Sequence, residues 1–310
     1  MGTCNTDFLA EAFNKLNNKA SLYLYDSRFS PLPELEKDAF DYFVIGLTLR
    51  YIVADADETR DDFWYLKSHD HQLFDSNLRR ANEIISRHVD AITSYMEGKQ
   101  VFYLSFFEAQ ANPMGVFANM NAITNPCVFV RKMNEHLFSE VTKRNNSFFV
   151  DVNTILSGIG RARLQDDSLY GVMHGNVISD FDYERDIDRI VPVKPAKEIF
   201  QVDNLDQLYG EKVVDYIENM RMIMSGEERV KLLIVDLDGT MWRGVAAEDD
   251  MDEYARTEGW PTGFVESLLI FKSRGGMLAI NSKNDYEETK KDLIRFGDIR
   301  LNSKTSFPLK

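Results

Sequence analysis

Two aspartates, Asp236 and Asp238, follow directly on the apolar run at 232–235 and are followed in turn by Gly239 and Thr240. A continuous apolar run of this kind is typical of a strand that is covered on both faces, as in a parallel α/β sheet. Both carboxylates would then lie at the carboxyl edge of the sheet, where ligands bind in such folds. The glycine permits a tight turn, and the threonine adds a hydroxyl group.

Two carboxylates at this spacing can divide between them the work of phosphoryl transfer. One can act as the nucleophile or as a magnesium ligand, and the other as general acid and base, provided that a cation offsets their mutual repulsion. The alternative is an ordinary turn after a strand, since Asp-Gly is common turn chemistry. The complete string of apolar run, paired aspartates, glycine and threonine favours the phosphoryl-transfer interpretation.

Two stretches of the chain resemble motifs of a known family. Residues 236–245 resemble motif I of the haloacid dehalogenase (HAD) superfamily, in its subfamily IIIC or FkbH-like branch. Residues 276–284 resemble motif II of the same family, in which an apolar strand ends in a phosphate-binding serine or threonine. Two such motifs in the right order make a specific signal.

The resemblance implies a role for each matching residue. Asp236 would be the nucleophile that forms an aspartyl-phosphate, and Asp238 the acid toward the leaving group and then the base toward water. Thr240 would steady the loop, while Ser282, with Lys283 beside it, would bind the transferring phosphate. The implied cofactor is Mg²⁺, held by Asp236 and by the backbone carbonyl of Asp238.

The family has two further motifs, a lysine that neutralises the aspartyl-phosphate and an acidic pair that completes the magnesium shell. The sequence between Ser282 and Lys310 contains neither. We therefore expect a HAD domain truncated after motif II, in which the aspartate pair alone binds magnesium weakly.

The function that this resemblance implies is that of a magnesium-dependent phosphatase or phosphotransferase acting on a phosphorylated small molecule. Relatives load a glyceryl unit from a phosphorylated three-carbon donor onto an acyl carrier protein, or act in polysaccharide and secondary-metabolite biosynthesis. Two alternatives stay open at this point. The chain could be a catalytically incomplete fragment or interaction protein, or an SGNH-type acyl transferase or esterase.

A weaker resemblance covers the first part of the chain. Residues 107–115 and 167–174 resemble segments of the SGNH-hydrolase-like domain that precedes the phosphatase domain in many FkbH-like proteins. Active SGNH esterases carry a serine nucleophile and an Asp-x-x-His block, whereas this chain has Cys4 and His174 there, with Gly171 in place of the aspartate. We expect Cys4 to be a packing residue rather than an essential nucleophile, because no carboxylate orients the ring of His174.

The spacing of apolar residues predicts alternating helices and strands, and therefore the α/β class with two doubly wound parallel-sheet domains. We expect an SGNH-like domain at 1–190, a linker and helix at 191–228, and a HAD-like Rossmannoid domain, incomplete, at 229–310. The strand expected before the turn at Gly2 is missing, so that either the start is trimmed or the strand is supplied otherwise. The principal helices are predicted over 8–16, 70–97, 128–143 and 206–227, and strands of the first domain over 22–25, 40–47, 101–106 and 147–152.

Composition excludes several classes of partner. The 310 residues are 44% hydrophobic and 28% charged, with a formal net charge of -14. This charge argues against nucleic acid and against an anionic membrane surface, both of which are held by clustered Lys and Arg. No apolar run approaches the roughly 20 residues needed to span a bilayer. With only two cysteines and no signal peptide, we expect a reducing cytoplasm rather than a disulfide framework.

Overall fold

The computed structural model shows a mixed α/β protein whose chain divides into two compact units, Met1–Arg221 and Met222–Lys310. Each unit has a parallel sheet with helices packed against it, which confirms the predicted fold class. The structure describes residues 1–2, 6–16, 19–23, 25, 31–56, 70–110, 115–117, 119–167, 176–177, 205–226, 229–241, 262–283, 287 and 290.

The first unit is built on a parallel three-stranded sheet in the order β1 (Tyr42–Gly46), β2 (Gln100–Leu104) and β3 (Ser147–Val150). Helices connect the strands, as parallel pairing requires. Tyr42 is paired with Gln100, and Val101 with Ser147. Among the described residues, the α-helices before β3 are α1 (Asp7–Lys15), α2 (Leu49–Ala56), α3 (His71–Tyr95) and α4 (Pro126–Thr142), and a short 3-10 helix lies at Lys37–Ala39.

The chain after β3 folds back onto the same unit. It forms α5 (Val152–Ile159), α6 (Arg161–Leu164), the short antiparallel pair β4 (Gln165–Asp166) and β5 (Asn176–Val177), and α7 (Leu205–Ser225). The division between the units falls inside α7, after Arg221. The predicted domain limits at 190 and 229 stay a prediction, because residues 178–204 lie outside the described part of the chain.

The starts of α3 and α5 in the first unit are set by local side-chain caps. The carboxylate of Asp70 accepts the Leu73 N–H at 2.9 Å, and α3 begins at the next residue. Asp151 accepts the N–H groups of Asn153 and Thr154 directly after β3. Such caps satisfy backbone donors that have no partner within the helix. They fix the residues at which these two helices begin.

Both faces of the first sheet are covered, because alternate strand residues enter different cores. On one face, Ile45 and Tyr103 pack with α3 and α4. On the other face, Phe102 and Val150 pack with side chains of α1, α5 and α7. The α7 contribution consists of Tyr209, Val213, Val214 and Ile217.

The first two residues occupy a strand position beside β1. The Met1 amino group donates to the Val44 carbonyl, and the Gly46 N–H donates to the Met1 carbonyl at 2.8 Å. On the opposite side, Gly2 donates to the Tyr23 carbonyl at 3.2 Å and accepts the Tyr25 N–H at 2.7 Å. Each set of bonds has the pattern of parallel pairing. A strand was predicted over 22–25. Residues 22, 23 and 25 form no regular strand in the structure, and the pairing there consists of the two hydrogen bonds to Gly2.

Thr6 packs closely on two glycines of this sheet. A Cβ added at either Gly2 or Gly46 would lie 2.6 Å from the Thr6 Cγ2. Thr6 itself is buried. Any larger residue at either glycine would therefore displace the start of α1.

The second unit has a parallel pair of strands, β6 (Leu232–Val235) and β7 (Met277–Ile280), with α8 (Thr262–Ser273) between them in sequence. Its core includes Val235 and Leu237, which pack with Val265 and Leu268 of α8. The prediction of a strand covered on both faces is wrong for the described residues. Leu232 is 44% exposed and Ile234 63% exposed, because α8 covers the opposite face.

Within the described parts of the chain, no helix combines the length and the apolar character that crossing a membrane requires.

Candidate phosphoryl-transfer site

The candidate site lies at the carboxyl edge of the second sheet. Val235 is paired with Ile280, the last residue of β7. The Asn281 N–H donates to the Val235 carbonyl at 3.1 Å, which carries the pairing one residue further. Asp236 and Ser282 therefore leave the sheet at the same edge, since the strands are parallel.

The loop after β6 is anchored by apolar side chains. Leu237 is fully buried, and its carbonyl accepts the N–H groups of Thr240 at 3.2 Å and Met241 at 2.7 Å. Gly239 has a φ of 70°, in the left-handed region that favours glycine. The sequence thus alternates apolar anchors with aspartates, so that Leu237 enters the core while its two neighbours remain accessible.

The two aspartates differ in their surroundings. Asp236 is exposed, whereas Asp238 is half-buried. Exposure suits a carboxylate that must meet a substrate, and partial burial suits a group that handles protons. The nucleophile and acid/base roles of these residues stay predictions.

The residues predicted to bind phosphate lie on the same two segments. Thr240 is exposed in the loop after β6, Ser282 is half-buried after β7, and Lys283 is exposed beside it. The backbone pairing of β6 with β7 brings these segments to one edge of the sheet. Their contact with a phosphate stays a prediction.

The donor set at this edge fits magnesium only in part. Among the described residues, no group of three or more His, Cys, Asp or Glu side chains could hold a metal ion. Mg²⁺ often binds through only one or two carboxylates, with water and substrate phosphate completing an octahedral shell. Asp236 and Asp238 fit such a site, in which the protein supplies few of the ligands.

The two residues of the SGNH-like prediction, Cys4 and His174, lie outside the described residues. The described cysteine, Cys127, has a half-buried thiol whose sulfur lies 3.6 Å from the Ala109 carbonyl oxygen. Burial, followed by the charge of Asp167, raises the pKa of the Cys127 thiol. A raised pKa disfavours the thiolate, so Cys127 is not poised as a nucleophile.

Sequence reasoning missed a polar cluster after β2 in the first unit. The side chain of Asn134 accepts the Phe106 N–H at 2.8 Å and donates to the Phe106 carbonyl at 3.1 Å. Asn153 donates to the same carbonyl at 2.9 Å and accepts the Glu108 N–H at 2.9 Å. The available signal was an asparagine on the apolar face of a helix, since Asn134 adjoins Met133 and precedes Leu137 in the buried set.

Further side chains hold the next residues of this segment. Gln165 donates to the Glu108 carbonyl at 2.8 Å and to the Asp167 carboxylate at 2.7 Å. Arg161 also donates to the Glu108 carbonyl, and Asp167 accepts the Gln110 N–H at 2.7 Å. Because these groups bond to the backbone, the cluster is explained as support for a loop rather than as a reaction centre.

The fold places the chain among α/β proteins with parallel sheets. It is similar to the solved structure described as "Crystal structure of N-terminal part of the protein BF1531 from Bacteroides fragilis containing phosphatase domain complexed with Mg". The TM-score is 0.55 at 16% sequence identity, over 99% of this chain and 72% of that chain. At this identity the likeness bears on the fold alone.

No protein-family profile matches the sequence, and no curated protein matches it. The resemblance to the FkbH-like branch and to SGNH hydrolases therefore stays a prediction.

Proposed function

We propose that the second unit is the catalytic part of a magnesium-dependent phosphatase or phosphotransferase of the HAD type. The observation that carries the proposal is the pairing of Val235 with Ile280, which brings the aspartate loop and the Ser282 segment to one sheet edge. The fold likeness to a chain with a magnesium-bound phosphatase domain supports it.

The proposed reaction proceeds through an aspartyl-phosphate. A carboxylate oxygen of Asp236 forms a bond to phosphorus as the bond from phosphorus to the leaving oxygen breaks. Asp238, protonated at this stage, gives its proton to that oxygen. It then takes a proton from the water that attacks phosphorus, which frees the Asp236 carboxylate and releases phosphate.

The phosphate-binding groups act on the non-bridging oxygens. The hydroxyl of Ser282 and the ammonium of Lys283 donate hydrogen bonds to them, and Thr240 steadies the loop that carries both aspartates. Bound Mg²⁺, held by Asp236 and the Asp238 carbonyl, supplies charge that offsets repulsion between the carboxylates and the phosphate. Positioning and electrostatic stabilisation by these groups together supply the expected acceleration.

The substrate we propose is a phosphorylated small molecule, in the cytoplasm. Transfer of a glyceryl unit to an acyl carrier protein, as in FkbH-like relatives, is the finer form of the proposal. Neither nucleic acid nor a membrane is expected as a partner, because the formal net charge is -14.

The test is hydrolysis of an aryl phosphate by the complete chain at increasing Mg²⁺ concentration. Asp236→Asn should lower the rate by roughly 1,000-fold or more, since it removes the nucleophile. It should also abolish magnesium-dependent trapping of a phosphate-mimicking metallofluoride. Asp238→Asn should slow the reaction most for poor leaving groups.

The matched control is Glu266→Gln, which removes one carboxylate charge from an exposed position on α8. It should retain the wild-type rate. Substantial activity in Asp236→Asn, or an inactive wild type at every Mg²⁺ concentration, would contradict the proposal for this chain.

A further inference from the structure

The parallel sheet of the first unit ends at β3, which is paired with β2 on one side only. The Val101 N–H donates to the Asn146 carbonyl at 2.8 Å, and the Ser105 N–H donates to the Val150 carbonyl at 3.0 Å. In an extended chain the N–H and C=O of one residue point to the same side, and successive residues alternate. The N–H and C=O of Phe149 therefore point away from β2, toward the outer edge of the sheet.

This outer edge of β3 has no strand beside it in the part of the chain that the structure describes. No group among the described residues bonds to the N–H or the C=O of Phe149. The pairs with β2 run from Ser147 to Val150 without a bulge, and the strand contains neither proline nor lysine. Bulges, proline and lysine are devices that keep an edge strand from pairing with another chain. The edge of β3 can therefore accept a further strand.

Strand pairing over four residues is weak unless side chains contribute, and on the α4 side the edge carries an exposed ring. Phe138 of α4 contacts Phe149 edge-on, with 5.5 Å between ring centroids, and remains 52% exposed. It lies two residues after His136, whose Nε2 is hydrogen-bonded to the Ser86 hydroxyl of α3 at 2.8 Å. Residues two apart point to nearly opposite sides of a helix, so Phe138 points away from α3 and toward the outer side of β3.

The opposite face of β3 carries apolar groups as well. Phe148 stacks on Phe102 with 5.2 Å between centroids and is half-buried. α5 begins directly after the strand, and its Ile155 is also half-buried. The outward-facing backbone groups thus lie between an aromatic ring in the α4 layer and apolar side chains in the α5 layer. A partner that covers all of them must supply a strand with a layer on each side.

A second copy of the chain has these layers in the required order. When two β3 strands pair antiparallel about a twofold axis at Phe149, each Phe149 donates to its counterpart and accepts from it. Phe148 then lies opposite Val150 of the other copy, so apolar side chains meet on that face. Because the axis is perpendicular to the sheet, α4 of one copy adjoins α4 of the other, and the two Phe138 rings meet.

Local charges are compensated next to this edge, although the formal net charge of the chain is -14. Lys143 donates to the Glu140 carboxylate at 2.6 Å, and Arg144 forms ion pairs with both Glu140 and Asp90. At physiological ionic strength, repulsion between exposed charges is largely screened beyond about 8 Å. The charges on this side of α4 therefore add little repulsion between two copies.

We propose that the outer edge of β3 is an interface at which two copies of this chain form a dimer with one continuous sheet. Phe149 of each copy supplies the central pair of backbone hydrogen bonds, and Phe138 supplies the apolar contact beside it. Backbone bonds give the association, and the packing of side chains on both faces sets the register. The interface is independent of the candidate phosphoryl-transfer site, which lies in the second unit.

The amide of Phe149 provides the first test, in the complete chain with isotope-labelled phenylalanine. Its exchange with water is followed by NMR over a concentration series, and analytical ultracentrifugation gives the dimer fraction. Exchange should slow about tenfold when nine-tenths of the chain is dimer, because only the monomer exposes this N–H. The Phe148 amide faces β2 and is the internal control, so it should be equally protected at every concentration.

A substitution at the exposed ring tests the side-chain contact. Phe138→Lys places two positive charges close to the twofold axis and should raise the dissociation constant of the dimer about tenfold or more. Phe117→Lys is the matched control, because Phe117 is a fully exposed ring in the loop after β2, and it should leave that constant unchanged. Circular dichroism verifies that both variants fold, and the exchange measurement on the unsubstituted chain depends on neither.

Three results would overturn the proposal. The first is a chain that stays monomeric at every concentration with free exchange at Phe149, which would rule out a second copy as the occupant of this edge. The second is a dimer in which exchange at Phe149 is unchanged, since the interface would then lie elsewhere. The third is equal weakening of the dimer by Phe138→Lys and Phe117→Lys.

Discussion

The strands of the two parallel sheets have similar apolar sequences, but their side chains are buried to different extents. In the first unit, Phe102 and Tyr103 of β2 are fully buried on opposite faces. In the second unit, Ile234 of β6 is 63% exposed while Val235 is buried. An apolar run therefore predicts a strand, but the number of layers around it decides how much the strand contributes to stability.

The two units also differ in what they contribute, because the larger cores lie in the first unit and the candidate site lies in the second. The first unit has two cores and a loop held by asparagine and glutamine side chains, while the paired aspartates lie in the second unit. The second unit has one small core among its described residues. A candidate site on the less buried sheet fits the general observation that functional segments come from the low-stability parts of a protein.

The largest expected effect comes from truncating the buried strand of the first unit. Phe102→Ala removes a ring that stacks on Phe148 at 5.2 Å between centroids and contacts Tyr42 edge-on. We expect a loss of about 3–5 kcal/mol in the free energy of unfolding, from lost burial plus a cavity. Chemical denaturation followed by circular dichroism measures it.

The matched truncation in the second unit is Ile234→Ala. Because this side chain is largely exposed, the expected loss is below about 1 kcal/mol. Equal losses for the two substitutions would show that the exposed face of β6 is covered in solution, and the comparison between the sheets would be wrong.

The second prediction concerns the pH dependence of the stability of the first unit. Burial lowers the pKa of the Met1 amine from 8.0 to about 5. Between these values the unfolded chain binds more protons, so stability should rise with pH from about 5 to 8 and level off outside that window. For a pKa shift of this size, the free energy of unfolding should rise by at most about 4 kcal/mol across the window.

Acetylation of Met1 provides the control, because an acetylated nitrogen does not titrate but still donates to Val44. Urea unfolding at several pH values should show the slope in the chain with a free amine and lose it after acetylation. A slope that survives acetylation would assign the pH dependence to other groups.

The third prediction tests the close contact around Thr6. Gly46→Ala places a Cβ 2.6 Å from the Thr6 Cγ2, which should cost about 1–3 kcal/mol. Thr6→Ser removes that methyl group. The double variant should therefore be more stable than the sum of the single changes predicts, with a coupling measured by a double-mutant cycle. If the stability changes of the two single variants simply add up in the double variant, there is no clash between the new Cβ at residue 46 and Thr6.

The sequence predicted element types well and their ends less well. The helix predicted over 70–97 is observed at His71–Tyr95, and that over 128–143 at Pro126–Thr142. The strand predicted over 101–106 ends at Leu104. Its end is set by tertiary hydrogen bonds, since Phe106 is bonded to Asn134, a residue far away in sequence.

A helix cap explains why a second strand ends earlier than predicted. The strand predicted over 147–152 stops at Val150 because Asp151 caps the following helix. The pattern of an acidic residue before an apolar helix was visible, but the competing apolar run favoured strand.

For the candidate site, the sequence identified the segments but not their surroundings. The apolar run at 232–235 predicted the first strand and the motif II resemblance at 276–284 the second, and the structure pairs them in parallel. The half-burial of Asp238 and the exposure of Asp236 depend on the burial of Leu237, which no local pattern specifies. Likewise, the strand position of Met1 depends on partners at Tyr23 and β1.

The last prediction has a small effect on stability and the most direct bearing on the site. Gly239 has a φ of 70°, and a Cβ there would meet no atom within 4 Å. Gly239→Ala should therefore cost only about 1 kcal/mol, through backbone strain rather than a clash. The loop would relax toward negative φ and move Asp238, so phosphatase activity should fall more than stability does. Gly263→Ala, in open space on α8 with no positive φ, is the matched control and should leave the rate unchanged and the stability unchanged or slightly higher. A similar rate in the two variants would mean that the turn at Gly239 does not position the acid/base.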